Sequence, residues 1–316
     1  MKTSTYDPAV HWLAASTVCL ALLPIVMGAL VTTRGAGMAF PDWPSSDGQN
    51  MLSYPWWQAA GDKFLEHGHR LAGILIGCVS IALVVVTCLR ESRTWVKLLA
   101  SGVLLGVIAQ GILGGQRVVL DARGLAFIHG SFAAIVFTLM ASLTLVTSRT
   151  WIAGERPSSS DRLSSVAVLG ACTALGIMVQ YVLGGLLRHL GMMMHQHLGF
   201  AFIVLILVLA FGHQAWHSGQ KWLRWPALAL VGLTVGQIAL GLTTWVAKYG
   251  FGDYVAVANS PFQVTMRTSH FILGMLLLMT TVILTLRACR LQWLRRPASL
   301  PTPVFDPSVN VPGGAR

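Results

Sequence analysis

Charge is what this sequence has least of. Asp, Glu, Lys and Arg together occupy a tenth of its 316 residues, while 54% are hydrophobic. A soluble domain of this length needs far more polar side chains to cover its surface, so a water-soluble enzyme or carrier is excluded. Glutamate is scarcest of all, occurring only at Glu66, Glu91 and Glu155. Cysteine offers no framework either. Cys19, Cys78, Cys88, Cys172 and Cys289 lie within or at the ends of apolar runs, with no CxxC or metal-ligand spacing. They are expected to be buried free thiols. The net charge of +11 points to basic loops flanking a membrane, not to a nucleic-acid partner.

What the sequence has is apolar runs of the length that crosses a bilayer. Eight helices are expected at about 11–33, 67–89, 98–118, 125–147, 164–187, 194–216, 225–246 and 268–288. The first is too long, and lacks the small-residue cleavage site, for a removed signal peptide. The connections after the second, fourth, sixth and eighth helices carry most of the loop Lys and Arg. Those connections, and both termini, are therefore expected on the cytoplasmic side of the inner (plasma) membrane, against membrane lipid. Two outer connections are long, and the first, 34–66, holds an apolar and aromatic stretch, Gly37-Met38-Ala39-Phe40-Pro41-Asp42-Trp43-Pro44. Loops of that composition are more often site walls than spacers.

The two halves read as copies. Gln110-Gly111-Ile112-Leu113-Gly114-Gly115 is echoed by Gln180-Tyr181-Val182-Leu183-Gly184-Gly185 and again by Gln237-Ile238-Ala239-Leu240-Gly241. The fold class expected is an all-α polytopic membrane protein, eight transmembrane helices forming two four-helix bundles related by a pseudo-twofold axis. The bundles span 1–148 and 164–290, joined by a cytoplasmic linker over 149–163 and followed by a disordered cytoplasmic tail over 291–316, rich in proline and without apolar periodicity.

Against this background Glu66-His67-Gly68-His69-Arg70 stands out, because ionisable groups at a membrane edge are costly to desolvate. Glu66 and His69 share a helical face. His129, His197 and His270 recur at the same end of three further helices, all expected near the outer face. One such histidine is an ordinary interfacial side chain; four at equivalent places of repeated helices suit axial ligation of heme iron, as His69 with His129 and His197 with His270. His195 competes with His197, while His11, His67, His189, His213 and His217 are expected to be interfacial. Glu66 is the one glutamate near the histidines and suits proton transfer; Glu91 and Glu155 are expected as surface charge. Met194 takes its place in the second half. Arg70, Arg117, Arg188 and Arg267, at the outer helix ends, suit pairing with heme propionates.

At these residues the chain resembles the heme A synthase family. The resemblance rests on Glu66-x-x-His69-Arg70, on the stretch around Gly37-Met38 and Asp42-Trp43, and on His129, His197 and His270 at the helix starts, and it covers roughly 11–290. It implies oxidation of the C8 methyl of heme O to the formyl of heme A by successive hydroxylations, for cytochrome c oxidase assembly. It further implies a substrate-heme site at Glu66, His69 and His129, and a heme b held by His197 and His270. A heme O synthase and an electron donor are the implied partners, and a homo-oligomer is compatible with it. Some members carry a cysteine pair in an outer loop, which this chain lacks. Two other readings fit the same residues: a diheme b-type electron-transfer cytochrome, and a heme carrier or transporter.

Overall fold

The computed structural model describes residues 5–155, 157 and 162–295, and among them the regular elements are all helices. In chain order they are α1 (Pro8–Arg34), α2 (Gly61–Arg90), α3 (Thr94–Val119), α4 (Arg123–Thr147), the short α5 (Arg149–Ala153), α6 (Leu163–Leu190), α7 (Met194–Trp216), α8 (Lys221–Tyr249) and α9 (Pro261–Arg295), with one 3-10 turn at Trp56–Gln58. All but α5 are long and apolar enough to cross a membrane. The chain is a multi-pass membrane protein.

Most spans run past the apolar stretches that reveal them, because polar residues close their ends. At α1 the Asp7 carboxylate accepts from the amides of Ala9 and Val10, with Pro8 entering the helix behind it, and Gly35 closes the far end in the left-handed region. At α6 the helix continues to Leu190, where Gly191 provides the same left-handed exit. α9 continues to Arg295. Residues 291–295, expected to open a disordered tail, are therefore helical; the rest of that tail lies outside the described residues. So do Arg156 and residues 158–161 of the expected linker, whose opening residues form α5.

The helices gather in two groups of four. α1 and α3 each pack against α2 and α4; α6 and α8 each pack against α7 and α9. The groups meet where α4 touches α6 and α9, and where α1 touches α9. Buried hydroxyls along the spans bond back to a carbonyl one turn earlier, as Thr17 to Leu13, Thr138 to Ala134, Thr234 to Leu230 and Thr281 to Leu277. That satisfies them where water does not reach.

The cysteines do not sit as expected. All five are exposed on the outer surface of the helices. In a membrane protein the lipid-facing surface is as apolar as the interior, so an apolar neighbourhood does not imply burial.

Candidate functional site

Each long helical hairpin repeats one device. Gly28 on α1, Gly114 on α3, Gly184 on α6 and Gly241 on α8 seat the imidazoles of His69, His129, His197 and His270 on the following span. A Cβ at these glycines would lie 2.8, 3.2, 2.9 and 3.1 Å from the respective Cε1, so the rings at Gly28 and Gly184 leave no room for a side chain, and those at Gly114 and Gly241 would have to give slightly. Four residues before each glycine stands Pro24, Gln110, Gln180 or Gln237. Each glutamine donates its amide nitrogen to the backbone carbonyl of the facing histidine, at 3.2, 2.8 and 3.0 Å for His129, His197 and His270. In α1 the Pro24 carbonyl instead accepts from His69 Nδ1, at 2.9 Å. A carbonyl only accepts, so Nδ1 carries the proton and Nε2 keeps its lone pair.

The seats bring the histidines together in twos. The rings of His69 and His129 have centroids 6.1 Å apart and planes at 89°; those of His197 and His270 are 6.3 Å apart at 87°. Two imidazoles on opposite sides of one metal ion, each with a metal–nitrogen bond of about 2 Å, have ring centres roughly 6 Å apart. Among the described residues no three His, Cys, Asp or Glu side chains cluster as a ligand set. Paired imidazoles suit an ion whose other ligands come from a macrocycle, as in heme. The ring spacing of both pairs suits that group, and at His69 the tautomer does as well. His195 is exposed, whereas His197 faces His270.

The first pair opens on a cavity of about 740 Å³, within the ~300–1,000 Å³ usual for small-molecule sites. Its wall includes Glu66, Arg70 and Arg117 from the first group, and Arg188, His189 and Phe271 from the second. The loop 35–60 covers it. Trp43, joined to Pro44 by a cis peptide, lays its indole where a side chain on Gly115 would otherwise stand.

Glu66 is buried and fully engaged. One carboxylate oxygen accepts from Arg70 at 2.6 Å; the other accepts from the Ala39 amide at 2.7 Å and the Phe40 amide at 3.3 Å. Arg70 also donates to the carbonyls of Asp42 and Ser45. The pair thus ties the loop to α2 as well as facing the cavity, a role the spacing of Glu66 and His69 does not reveal. Arg117 donates to the Gly37 carbonyl. Arg188 donates to the Ala29 carbonyl and the Thr33 hydroxyl, both at 2.8 Å, and Arg267 to the Thr33 carbonyl at 3.4 Å. Among the described residues, only Arg70 of these four arginines makes a salt bridge, and Arg117 feels Glu66 and Asp121 at longer range. The cavity wall is therefore left with the positive charge of Arg117 and Arg188, which an anionic ligand would balance.

Two histidines expected at the interface are elsewhere. His67 is fully buried beneath the loop, its Nδ1 3.1 Å from the Ser46 hydroxyl and its ring against Tyr54. His189 lies inside the last turn of α6, on the wall of the first cavity. Neither position is readable from hydropathy; both depend on how the loop and the second group fold onto the first. The expected surface charge Glu91 is also buried, held by Arg93 at 2.7 Å.

Fold and site together define a multi-pass membrane protein with two paired-imidazole centres, one opening on a ligand-sized cavity. The family described as cytochrome oxidase assembly protein matches residues 10–196, more than half of the chain, and the chain belongs to that family. It is similar to the heme A synthase of Symbiobacterium thermophilum, 30% identical over 189 residues, which are 58% of this chain and 60% of that protein. The match to the family contains His69 and His129 but stops before His197.

Proposed function

We propose that the chain is a heme A synthase, oxidising the C8 methyl of heme O to a formyl group by successive hydroxylations. The observation that carries this reading is what stands beside the first histidine pair: His69–His129 has the Glu66 carboxylate, the loop 35–60 and a cavity of about 740 Å³ on its wall, where the second half has Met194 and a short turn between α6 and α7. Family membership and the named relative agree with it. In this reading His69 and His129 hold the substrate heme, and Arg117 and Arg188, which are on the cavity wall and make no salt bridge among the described residues, receive its propionates. Arg70 is committed to Glu66, and Arg267 stands further back at the seam between the groups.

His197 and His270 would hold a heme b, which supplies one-electron transfer when bound. Glu66 fixes the covering loop so that bulk water is kept from the methyl-bearing edge of the substrate. Its carboxylate accepts or returns a proton there when Arg70 yields it. The Pro24 carbonyl keeps the Nε2 of His69 available to iron by holding the proton on Nδ1. The same reading relates the two groups by a pseudo-twofold axis along the membrane normal. It sets the histidine end at the outer face of the plasma membrane, both termini in the cytoplasm, and a heme O supplier and an electron donor as partners.

The test is acid-acetone extraction and mass analysis of the hemes in protein purified from cells that make heme O. Heme A, or its hydroxylated precursor, beside heme b is the expected outcome. Heme b alone, with heme O unaltered under reducing conditions, would instead make the protein an electron-transfer cytochrome. Heme O carried unchanged, with no heme b, would make it a carrier.

A further inference from the structure

The first cavity changes character along its depth. Beside the covering loop its wall carries Glu66, Arg70 and Arg117; further along the spans it is hydrocarbon or glycine, with Gly73, Ile76, Val107, Gly111, Val136 and Met140. The polar exception, Gln110, is already tied to the His129 carbonyl. From His129 to Met140 this chamber follows α4 for roughly 16 Å, at ~1.5 Å per residue.

Its glycines differ in kind from those that seat the histidines. A Cβ on Gly28 or Gly184 would strike an imidazole, whereas a Cβ on Gly73 or Gly111 would meet nothing within 4 Å. Glycine costs helix stability, and here no neighbouring helix requires it. What it leaves is open volume one turn beyond the histidines, on two facing spans.

We infer that this lower chamber seats a long hydrocarbon chain carried by the ligand whose macrocycle lies at His69 and His129. The inference rests on the heme A synthase reading, in which the chain is the isoprenoid tail that heme O carries and heme b lacks. The tail would lie along Gly73 and Gly111 towards Val136 and Met140. It would fix which edge of the macrocycle meets Glu66.

The experiment compares full-length Gly73→Leu and Gly111→Leu with the unaltered chain and with Gly102→Leu. Gly102 is also on α3, has the same open space around its Cβ, and lies off the cavity wall. All four are placed in a His197→Ala background, so that the first pair reports alone. Heme O and heme b are then titrated separately in detergent, followed by the Soret band and by mass analysis of bound heme. The unaltered first site is expected to bind heme O more tightly than heme b. Gly73→Leu and Gly111→Leu lose about tenfold or more in heme O affinity, as expected for a few displaced methylenes, and keep heme b within about threefold. Gly102→Leu behaves as the unaltered site. Equal loss of both hemes would mean that the space serves the macrocycle, and unchanged heme O binding would mean that the tail lies elsewhere. Either result overturns the inference while leaving the proposed activity standing. Failure of the unaltered first site to bind either heme would remove that activity, and the inference with it.

Discussion

The two halves of the molecule share a scaffold and differ in how they finish it. Both seat a pair of histidines on glycines, with ring centres 6.1 and 6.3 Å apart. In the first half the loop 35–60 folds over the pair, and in the second the equivalent helices are joined by the tight turn 191–193. Three residues before the leading histidine stands Glu66 in one half and Met194 in the other. His69 is fixed by a carbonyl, which sets its tautomer; His197 is approached by the Gln180 amide nitrogen at 3.2 Å. A repeated hairpin thus brings two imidazoles together twice. In the proposed reading, reaction chemistry requires what stands beside one copy: a carboxylate, a cover, and a cavity whose wall includes the other half's Arg188, His189 and Phe271.

The sharpest way to break the comparison is at residues 66 and 194. Glu66→Ala is expected to lower formyl formation by ~10²–10⁴-fold, the range for a lost acid–base group, while heme remains bound. Met194→Ala leaves product formation unchanged, and chromatography of extracted hemes reads both. Glu66→Gln keeps an acceptor for the Ala39 amide but loses the ion pair with Arg70. Substantial activity in that variant would make Glu66 a tether for the loop and nothing more.

The glycine seats sharpen the likeness of the halves. Gly28→Val and Gly184→Val force a side chain into an imidazole and are expected to cost about 1–3 kcal/mol, with loss of heme at the affected pair only. Alanine should rank the seats. Gly28 and Gly184, where the added carbon would come within 2.8 and 2.9 Å, should suffer more than Gly114 and Gly241, at 3.2 and 3.1 Å. A ranking in which all four respond alike would mean that the rings give way freely. Thr33→Val then tests the seam, where the hydroxyl accepts from Arg188 at 2.8 Å and from Thr268 at 3.2 Å. Leaving those donors unmet should cost about 1–3 kcal/mol in thermal unfolding, and should disturb the first cavity through Arg188 without touching His197.

How much of this was legible in the sequence divides along physical lines. Apolar length exposed the eight spans, and the echo of Gln110 and Gly114 in Gln180 and Gly184 exposed the repeated hairpin. The facing of His69 with His129 follows from that repeat. The burial of His67, the loop contacts of Glu66 and the arrival of His189 in the first cavity depend on one segment folding over another, which no helical period encodes. Exposure of the cysteines was illegible for a different reason. Lipid and protein interior select the same apolar side chains, so the face a residue presents cannot be read from its neighbours.

The smallest expected effect lies at the opposite end of the bundles from the histidines. The α2–α3 turn of the first half is held by Glu91, whose carboxylate takes three hydrogen bonds from Arg93, the backbone amide included. The α7–α8 turn of the second is held by neutral groups, the Ser218 hydroxyl donating to the Ala215 carbonyl and accepting from the Gln220 amide. Burial alone would raise the Glu91 carboxyl, but the Arg93 hydrogen bonds outweigh it and hold the group below its ordinary value of about 4.5. A carboxyl depressed in the folded state contributes stability above its unfolded value and loses it as pH falls through the folded one. Protection factors around residues 88–97, taken against the intrinsic exchange rate at each pH, should therefore fall below about pH 4.5, while residues 214–224 show no matching step. Glu91→Gln should abolish the difference. An acid response of equal size in both turns would mean that the two are held by something other than their unlike polar groups.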